Sequence, residues 1–574
     1  MSELRPVPGI ERISAYRVPR PPIPVDLRLD GNEGQPPPAA VLAALGEHDP
    51  ELLRRYPDAA RLEGLLAQRL AVPADRLLVT AGADDAFDRI CRALVCPGRK
   101  MIVPEPTFSM IERFVALSGG ELVSIPWPGP RYPTAQVLAA LGPDVTAVAV
   151  VSPNNPTGAV ASRQDVERIA EAAPQALVVI DHAYVEFGQE DLTSLALERP
   201  NVVVLRTLSK AWGMAGLRVG YAVASTQVLE WLRIAGHPYA VSGPSLALAA
   251  RWLARGDETV SAFVAQVARE RPALEELLRG AGGRVAASQG NFAFARFGSA
   301  LWVRDGLAGQ GIGVRAFPGD PLLDDAVRLT CPGNEAEFAR LTTALRTLFE
   351  PEALLFDMDG VLADVSRSYR RAIVETARHY GCELTLADVA AETALGDANN
   401  DWVLTRRLLK KRGVDVALDQ VTKTFEELYQ GTPERPGLRE QESLLVPRAA
   451  LEKLGSRLRL GIVTGRPRAD AERFLSQYDI GGCFDAVICM EDAPLKPDPA
   501  PVRLALERLA VERAWMLGDT PDDIRAARSA GVLPLGALFQ PGDSMIDESL
   551  FRAGAARVLR NISELMELME LQEL

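Results

Sequence analysis

The chain has 574 residues, too many for one compact domain, so several structural units are expected. It is 47% hydrophobic and 24% charged, which provides apolar material for more than one core. The formal net charge of −13 at pH 7 argues against a nucleic-acid partner, because no basic excess offsets phosphate repulsion.

The cysteines and the apolar runs bear on the compartment. The six cysteines form no CxxC pair, so they carry no zinc or redox signature and are interpreted as thiols of a reducing compartment. The first 20 residues contain no apolar core of signal-peptide type, and no apolar run is long enough to span a membrane. The expected location is the cytoplasm, with no membrane partner.

The first half of the chain predicts an α/β fold. Residues 1–40 are rich in proline and arginine and are interpreted as an extended arm. Short β-branched runs then alternate with helical patterns, which predicts a mostly parallel sheet covered by helices. These runs are Leu77–Thr80, Met101–Val103, Val148–Val151, Leu177–Ile180 and Val202–Leu205. Residues 244–349 predict a smaller α/β unit with helices at Leu246–Arg255 and Glu335–Leu348.

The alternation starts again at Ala353, where an apolar strand, Ala353–Phe356, is expected. Residues 364–447 show an almost wholly helical pattern, which predicts an inserted helical lid. A short amphipathic helix is expected at Ile562–Leu574. The later strands of this half are predicted at Leu460–Val463, Ala486–Cys489 and Ala514–Leu517.

A lysine motif follows one of the predicted strands of the first half. Lys210, in Thr207-Leu-Ser-Lys210, is a candidate to form a Schiff base with pyridoxal 5'-phosphate (PLP). Thr207 and Ser209 offer hydroxyls to the cofactor phosphate, and Arg218, eight residues after the lysine, offers a guanidinium. A lone Ser-Lys pair is far more often a surface lysine, so the interpretation depends on the neighbouring motifs.

Two further motifs end predicted strands. Asp181 lies where parallel sheets carry ligands, and it is suited to keep the PLP pyridine nitrogen protonated; alone it would more often be a helix N-cap. Tyr184 is a candidate to reach the ring hydroxyl. Asn155, in Ser152-Pro-Asn-Asn-Pro-Thr-Gly158, is a candidate to hydrogen-bond the same hydroxyl, although its turn residues alone indicate only a loop.

Two remaining pieces complete a PLP site. Gly82, Ala83 and Asp84 lie between a strand and a helix, where backbone N–H groups can bind the cofactor phosphate, or simply begin a capped helix. Phe108 is a candidate to stack on the ring, although a phenylalanine is more often part of a core.

Taken together, these motifs resemble those of fold-type-I aminotransferases, most of all histidinol-phosphate aminotransferases. The resemblance covers roughly residues 10–350. Besides the motifs above, the matching segments are Asn32-Glu33, Arg55-Tyr-Pro-Asp58, Gly216-Leu-Arg218-Val-Gly-Tyr221, Pro238-Tyr239, Asn291-Phe292, Gly311-Ile-Gly-Val-Arg315 and Arg328.

The resemblance implies further roles. Tyr56 would reach the PLP phosphate of a neighbouring subunit, which implies a homodimer. Arg328 would bind the acidic group of the substrate or of its transamination partner, the glutamate/2-oxoglutarate pair, and Tyr16 and Arg315 would help to bind the substrate phosphate.

This sequence departs from the family pattern at three places. His182 stands where glutamate is usual, Phe108 where tyrosine is commoner, and Gly34-Gln35 where Asn-Pro usually follows Asn-Glu. Threonine-phosphate decarboxylases share much of the pattern, so decarboxylation is an alternative to transamination.

A second group of acidic residues begins directly after the strand Ala353–Phe356. In Asp357-Met-Asp359-Gly360, Asp357 is suited to attack phosphorus and form an aspartyl-phosphate. Asp359, two residues on, points to the same side and can protonate the leaving oxygen. A Mg²⁺ ion would offset the repulsion between these carboxylates and a phosphate.

Complementary residues follow the later strands in order. Thr464 can bind phosphate by its hydroxyl, and Lys496 can neutralise both the phosphate and the nucleophile. Asp519 and Asp523, in Gly518-Asp-Thr-Pro-Asp-Asp523, are candidate metal ligands together with Asp357 and Asp359. A lone DxD motif is weak, but four motifs at successive strand ends are specific.

This half resembles the haloacid-dehalogenase superfamily over roughly residues 352–555, and its lid resembles the helical cap class. Dehalogenases of this fold lack the second aspartate and phosphatases have it, so the resemblance implies phosphate ester hydrolysis, with a phosphomutase as a minor alternative. A third interpretation is a regulatory module that binds phosphate without turnover; the intact set of acids argues against it.

The sequence therefore predicts a PLP-dependent transferase fold followed by a Rossmann-like phosphatase with a helical cap. The first domain is expected at 1–350, with a large domain at about 40–240 and a small domain at about 1–39 and 241–350. The second is expected at 351–574, with its core at about 351–363 and 448–574 and its cap at about 364–447. The expected function is bifunctional: transamination of a phosphorylated keto compound and hydrolysis of a phosphate ester, as in consecutive steps of histidine synthesis, or on another amino-phosphate metabolite.

Overall fold

A computed structural model describes residues 6–11, 13–17, 20–47, 50–539 and 544–570. The chain folds into two compact units. The first comprises the described residues of Met1–Pro19, Leu29–Phe297 and Arg315–Ala339, and the second those of Arg20–Arg28, Gly298–Val314 and Arg340–Leu574. These units differ in extent from the domains predicted to meet at residue 350, which stay a prediction.

The first unit is built on a seven-stranded sheet. Its strands are parallel except Gly220–Val223, which runs antiparallel to both of its neighbours. Most of the strands are apolar and buried, as expected where helices cover both faces. In sheet order the strands are Leu77–Thr80, Gly220–Val223, Val202–Thr207, Leu177–Asp181, Val145–Val151, Lys100–Glu105 and Glu121–Pro126. The predicted mostly parallel sheet is confirmed.

The helices of this unit follow the predicted alternation. Ser162 begins one of them with a capping box, in which its hydroxyl accepts a hydrogen bond from the Asp165 amide. The longer helices are Ala60–Leu70, Gly82–Leu94, Met110–Leu117, Thr134–Ala139, Arg163–Ala172, Thr226–Ala235, Gly243–Leu253 and Asp257–Gly280. Short helices lie at Pro8–Glu11, Ala39–Ala43, Glu51–Arg54 and Leu195–Glu198.

A smaller five-stranded sheet carries two arginines that the sequence assigned to substrate binding. Its strands, in sheet order, are Leu27–Leu29, Ile312–Ala316, Ala326–Thr330, Phe292–Arg296 and Arg284–Ala286. Antiparallel pairing sets Arg315 directly opposite Arg328. Neighbouring side chains in such a pair lie on the same face of the sheet.

The second unit contains a six-stranded sheet that is parallel throughout. In sheet order its strands are Ala486–Ile488, Arg459–Val463, Ala353–Phe356, Ala514–Gly518, Leu533–Ala537 and Arg557–Leu559. The helices that accompany it are Arg448–Gly455, Arg468–Gln477, Ala500–Leu509, Pro521–Ser529, Ser544–Ala553 and Ile562–Glu570. The carboxyl ends of the central strands meet at one edge, which is where such sheets bind ligands.

Two helices within residues 244–349, which the sequence analysis placed in the first half, belong wholly or mostly to the second unit. They are Ala300–Gly309 and, for the most part, Glu335–Phe349. The buried Trp515 indole donates a hydrogen bond to the Thr347 carbonyl at 2.8 Å, and its ring meets the edge of Trp302 with centroids 5.5 Å apart. These contacts explain why the compact unit begins before residue 350.

The predicted lid contains four helices between the first and second strands of the parallel sheet. They are Tyr369–His379, Leu386–Thr393, Asp401–Lys411 and Leu418–Gln430. Two pairs of two-residue strands, which the helical pattern does not predict, join Ala363–Asp364 to Ser443–Leu444 and Gly431–Thr432 to Arg435–Pro436. Within the described residues, no helix has both the length and the apolar character needed to cross a bilayer.

Two candidate active sites

Lys210 lies just beyond the strand Val202–Thr207, in the middle of the large sheet. Its Nζ donates a hydrogen bond to the Gly31 carbonyl at 2.9 Å and lies 5.6 Å from the centre of the Tyr184 ring. Tyr184 in turn accepts a hydrogen bond from Asn32 Nδ2 at 3.0 Å. The structure thus brings Lys210 and Tyr184 together. It also places Asn32 at this site, a residue that the sequence analysis mentions only as part of the family pattern.

Asp181 is the last residue of the neighbouring strand, and its carboxylate is buried. It accepts a hydrogen bond from the Ala183 amide at 3.1 Å, and no cation is hydrogen-bonded to it within the described part of the chain. Burial raises its pKa to about 7; the charge of Asp84 acts in the same direction, and that of Lys210 opposes it. A buried carboxylate without a cation is costly, so this position fits a protonated ring nitrogen.

The proposed phosphate-binding residues come together at the start of the helix Gly82–Leu94. Gly82 has a φ of +82°, and a Cβ built on it would lie 2.7 Å from Nη2 of Arg218. The same Nη2 donates to Asp84 at 3.1 Å, and the Thr207 hydroxyl donates to the Ser209 hydroxyl at 2.8 Å. Backbone amides at a helix N-terminus beside a guanidinium form a suitable cradle for a phosphate.

Arg328 joins the loop motif to the smaller sheet. Its Nη1 donates to Asn155 Oδ1 at 2.5 Å and its Nη2 to the Asp30 carbonyl at 2.6 Å. The side chain is buried, and burial together with the charge of Arg315 lowers its pKa. Tyr184, and to a smaller extent Tyr16, oppose this lowering. The hydrogen bonds of Arg328 go to neutral oxygens, which suits a side chain that binds an anionic substrate.

The other predicted residues of this site are arranged as follows. Phe108 is partly buried and packs against the core of the large sheet. The Tyr56 side chain is 79% exposed and stacks on Tyr239, with ring centroids 4.5 Å apart. His182, one of the three departures from the family pattern, is buried: its Nδ1 bonds the Ser152 carbonyl and its Nε2 accepts from the Leu192 amide at 3.0 Å. Burial lowers the pKa of His182 to about 4, so it is a neutral structural residue.

The second site forms around Lys496. Its Nζ lies 2.6 Å from Asp357 Oδ1, also contacts Asp523 Oδ1, and donates to the Val463 carbonyl at 3.0 Å. All three charged side chains are buried. Burial opposes the charge on Lys496, but the two carboxylates outweigh it and raise its pKa. Burial and the neighbouring carboxylates raise the pKa of Asp357 well above its usual value.

Three carboxylates converge as a candidate metal-binding group. One oxygen from each of Asp357, Asp519 and Asp523 lies within 4.8 Å of the others, and no other such group occurs among the described residues. Burial, and then the charges of Asp523 and Asp359, raise the pKa of Asp519 to about 7, while Arg370, whose Nη2 donates to it at 3.1 Å, opposes the rise. Such a cluster fits a divalent cation with oxygen ligands.

Asp359 lies outside this group. Its Oδ1 accepts a hydrogen bond from Arg466 Nε at 2.6 Å, and Arg466 also pairs with Glu442 at 3.1 Å. The side chains of Arg466 and Glu442 are fully buried. Thr464 is buried beside them, and its hydroxyl accepts from the Arg466 amide at 3.1 Å. Asp359 is therefore held by a buried cation, and its role as a metal ligand stays a prediction.

The core and the lid together enclose a cavity of about 70 Å³ at this site. Asp357, Asp359 and Asp519 line it from the core. Asn399 and Asp401, which the sequence analysis does not single out, line it from the lid. No motif marks these lid residues, and only the folded chain brings them to the acidic cluster.

Comparison with known proteins identifies the two halves. The profile of the family "Aminotransferase class I and II" matches residues 26–345, more than half of the chain. The chain belongs to this family. The profile "haloacid dehalogenase-like hydrolase" matches residues 351–531, so the chain also carries a hydrolase domain of that type.

Individual relatives and a solved structure match parts of the chain. A histidinol-phosphate aminotransferase of Trichormus variabilis is 34% identical over 329 residues, covering 56% of this chain and 92% of the relative. A protein of Phytophthora nicotianae named imidazoleglycerol-phosphate dehydratase is 48% identical over 195 residues, but this chain spans only 43% of its length. The solved histidinol-phosphate aminotransferase of Sinorhizobium meliloti, in complex with PLP, matches with a TM-score of 0.54 at 24% identity and covers 60% of this chain and 98% of its own. That likeness shows the aminotransferase fold.

Proposed function

We propose that the chain is a bifunctional enzyme. Its first part, about residues 1–350, transaminates a phosphorylated keto compound with glutamate as amino donor, and its second part, about residues 351–574, hydrolyses the phosphate ester of the amino product. The observation that carries the proposal is the presence of two separate catalytic clusters, one around Lys210 and Asp181 and the other around Asp357 and Lys496.

The first cluster fits PLP. When bound, PLP supplies an electron sink next to the amine of the substrate. Asp181 would hold the proton on the ring nitrogen, because a buried carboxylate that lacks a cation is stabilised by one. Lys210 would attach the cofactor and, once the amino donor displaces it, move a proton at the donor's α-carbon. Gly82, Thr207 and Arg218 would bind the cofactor phosphate.

The two arginines of the smaller sheet support an anionic substrate. Arg328 and Arg315 are directly opposite each other in the strand pair. A guanidinium fork binds either a carboxylate or a phosphate, so one pair can serve both glutamate and a phosphorylated keto compound in alternate half-reactions. Tyr56 is exposed and stacked, which is consistent with a residue that completes the site of a second subunit in a homodimer.

The second cluster supports hydrolysis through Asp357. Its carboxylate oxygen would attack phosphorus, and the bond from phosphorus to the ester oxygen would break as Asp359 donates a proton to that oxygen. Water would then cleave the aspartyl-phosphate, giving its proton to Asp359 and releasing phosphate. Asp357, Asp519 and Asp523 would bind Mg²⁺, which when bound neutralises carboxylate charge that would repel the substrate.

The chemistry of the two reactions supports an order for them. The aminotransferase relative and the dehydratase relative are both named for phosphorylated compounds. An amino-phosphate leaving the first site is a phosphate ester that the second site can hydrolyse. Histidinol phosphate, the product of imidazole-acetol phosphate, is the substrate we favour, and it places the two activities in consecutive steps of histidine synthesis.

The test uses the full-length protein with PLP and Mg²⁺. Histidinol phosphate and 2-oxoglutarate should yield glutamate, and histidinol phosphate alone should release phosphate. Lys210→Ala should abolish glutamate formation and leave phosphate release, and Asp357→Asn should do the reverse. Loss of carbon dioxide from an amino-acid phosphate without glutamate formation would identify a decarboxylase instead. No phosphate release from any phosphorylated amine or amino alcohol would overturn the phosphatase assignment.

A further inference from the structure

Asp401 is the first residue of the lid helix Asp401–Lys411, and it faces the catalytic residues of the second site. It lines the same cavity as Asp357 and Asp359, and also an adjoining cavity of about 30 Å³ that Arg466 lines. The amide groups that follow it in the helix are capped by the Asn400 side chain, which accepts from the Trp402 and Val403 amides at 3.1 Å. Asn400 therefore caps this helix, and the Asp401 carboxylate takes no part in the capping.

The other carboxylates of this cavity each have a cationic partner. Asp357 pairs with Lys496, Asp519 with Arg370, and Asp359 with Arg466. Asp401 differs: across the described ranges of the chain, its side-chain oxygens have no hydrogen-bond or ion-pair partner. Burial raises its pKa to about 7, and the charge of Asp359 adds to the rise, whereas the charges of Arg466 and Arg370 oppose it.

The lid segment that carries Asp401 is fixed against the catalytic core. The Asn399 side chain donates to the Lys496 carbonyl at 3.1 Å and to Asp522 Oδ2 at 3.0 Å. The Ala398 amide donates to the same oxygen of Asp522 at 3.0 Å. Since Asp401 comes two residues after Asn399, these bonds hold the start of its helix against the core.

The rest of the wall is apolar or already paired. Val365, Ile373, Val389 and Leu404 line the cavity and offer no hydrogen bond to a substrate. A substrate whose phosphate lies at Asp357 and Lys496 would therefore meet a single unpaired charge, that of Asp401. An unpaired carboxylate at the wall of a small cavity is stabilised by a cation that enters with the ligand.

We propose that Asp401 binds the ammonium group of the phosphatase substrate, so that this site selects phosphate monoesters that carry a primary amine. The inference rests on the proposed phosphatase function. It also gives the two reactions an order: transamination creates the ammonium group that Asp401 recognises, and the keto precursor, which lacks that group, is spared from hydrolysis.

The test compares two substrates on the full-length protein with Mg²⁺. One is histidinol phosphate, and the other is the same ester without the amine, imidazolylpropyl phosphate. The measured quantity is the ratio of their kcat/KM values for phosphate release. A charge-assisted hydrogen bond predicts that the wild-type protein favours the amine about 10- to 150-fold, and that Asp401→Asn brings the ratio close to one.

The matched control is Asp419→Asn, which makes the same substitution in the first turn of the next lid helix, Leu418–Gln430, at an exposed residue. It should keep the wild-type ratio. A merely structural role for Asp401 would lower both kcat/KM values together and leave the ratio unchanged, which would overturn the inference.

The wild-type measurement stands by itself if the Asp401 variant does not fold. Equal kcat/KM values for the two esters would overturn the inference while leaving the phosphatase function intact. Absence of phosphate release from both esters would instead count against the proposed function.

Discussion

Removing the Glu442 side chain should destabilise the phosphatase part of the chain more than removing an exposed charged side chain does. Its carboxylate is fully buried and pairs with two nitrogens of Arg466, at 3.1 and 3.3 Å. It also accepts hydrogen bonds from the Ser368 hydroxyl at 2.9 Å and the Tyr429 hydroxyl at 3.1 Å. Glu442→Ala would leave the buried guanidinium with Asp359 as its sole carboxylate partner among the described residues.

The magnitude follows from the burial of both partners. Breaking a buried ion pair from one side costs about 3–5 kcal/mol, because the remaining charge stays in a poorly solvated site. For a domain of this size, 1 kcal/mol corresponds to a shift in Tm of about 2–4 °C, so the expected fall is about 6–20 °C. Glu452→Ala is the control, since it breaks the exposed pair of Glu452 with Arg448 at 2.8 Å and should shift the Tm by less than about 2 °C.

Scanning calorimetry of the full-length protein gives the measurement. The transition that belongs to the phosphatase part is the one that added Mg²⁺ raises, since a ligand stabilises the state that binds it. A Tm for Glu442→Ala within about 2 °C of that of Glu452→Ala would refute the reasoning, and it would mean that the Arg466 charge is accommodated without its carboxylate.

Four further outcomes are expected. Lys210→Ala should lose the PLP absorbance band of the purified protein while phosphate release continues; a retained band would contradict the role of Lys210. Asp357→Asn should lose phosphate release by at least about 10³-fold with normal glutamate formation, and a smaller loss would point to another nucleophile. EDTA should abolish phosphate release and excess Mg²⁺ should restore it, whereas activity that persists in EDTA would exclude the three-carboxylate site as a required metal centre. Burial raises the pKa of Asp181 to about 7 in the PLP-free protein, whereas the pKa of an aspartate in the unfolded chain is about 4. Between these two pH values the folded protein keeps a proton on Asp181 that the unfolded chain has lost. The stability of the PLP-free protein should therefore fall as the pH rises from about 4 to 7. Asp181→Asn should reduce this fall and raise the stability of the PLP-free protein at pH 8 by up to about 4 kcal/mol, as measured by Tm against pH; a pH dependence equal to that of the wild-type protein would contradict the assignment.

The sequence predicts those parts of both sites that lie at strand ends. Asp181 and Asp357 each end or follow a buried apolar run, and parallel strands bring such residues to one edge of a sheet. The spacing between Lys496 and Asp523 does not by itself predict a site. Their order along the chain, however, follows that of the predicted strands. These positions could be predicted because local hydrophobic pattern and sheet topology together determine them.

The lid residues could not be predicted in the same way. Asn399 and Asp401 approach the acidic cluster only because of how the lid helices pack, and helical periodicity does not report which end of a helix meets another domain. Arg466 is similar: its sequence neighbour Thr464 is predicted, but an arginine in a loop is usually exposed, and here it is fully buried. Tertiary packing, rather than local pattern, decides these positions.

The residue ranges of the two compact units could not be predicted from the sequence either. The junction near residue 350 shows no composition change, and the helix Glu335–Phe349 has the pattern of an ordinary final helix of the first half. Its Thr347 carbonyl instead accepts the hydrogen bond of Trp515, a contact between residues 168 positions apart. A domain boundary predicted from the local sequence pattern cannot take such a long-range contact into account.

The bond between Trp515 and Thr347 has a consequence for any attempt to produce the halves separately. Cleaving the gene at codon 350 would leave the buried indole N–H without its acceptor and would uncover the face of Trp515 that meets Trp302. Gly309, whose added Cβ would lie 2.8 Å from the Ala556 side chain, marks a second close junction that the cut would open. Each fragment would expose apolar surface and be prone to precipitate. Translation as a single chain avoids this exposure, and it also keeps the two catalysts at a fixed one-to-one stoichiometry.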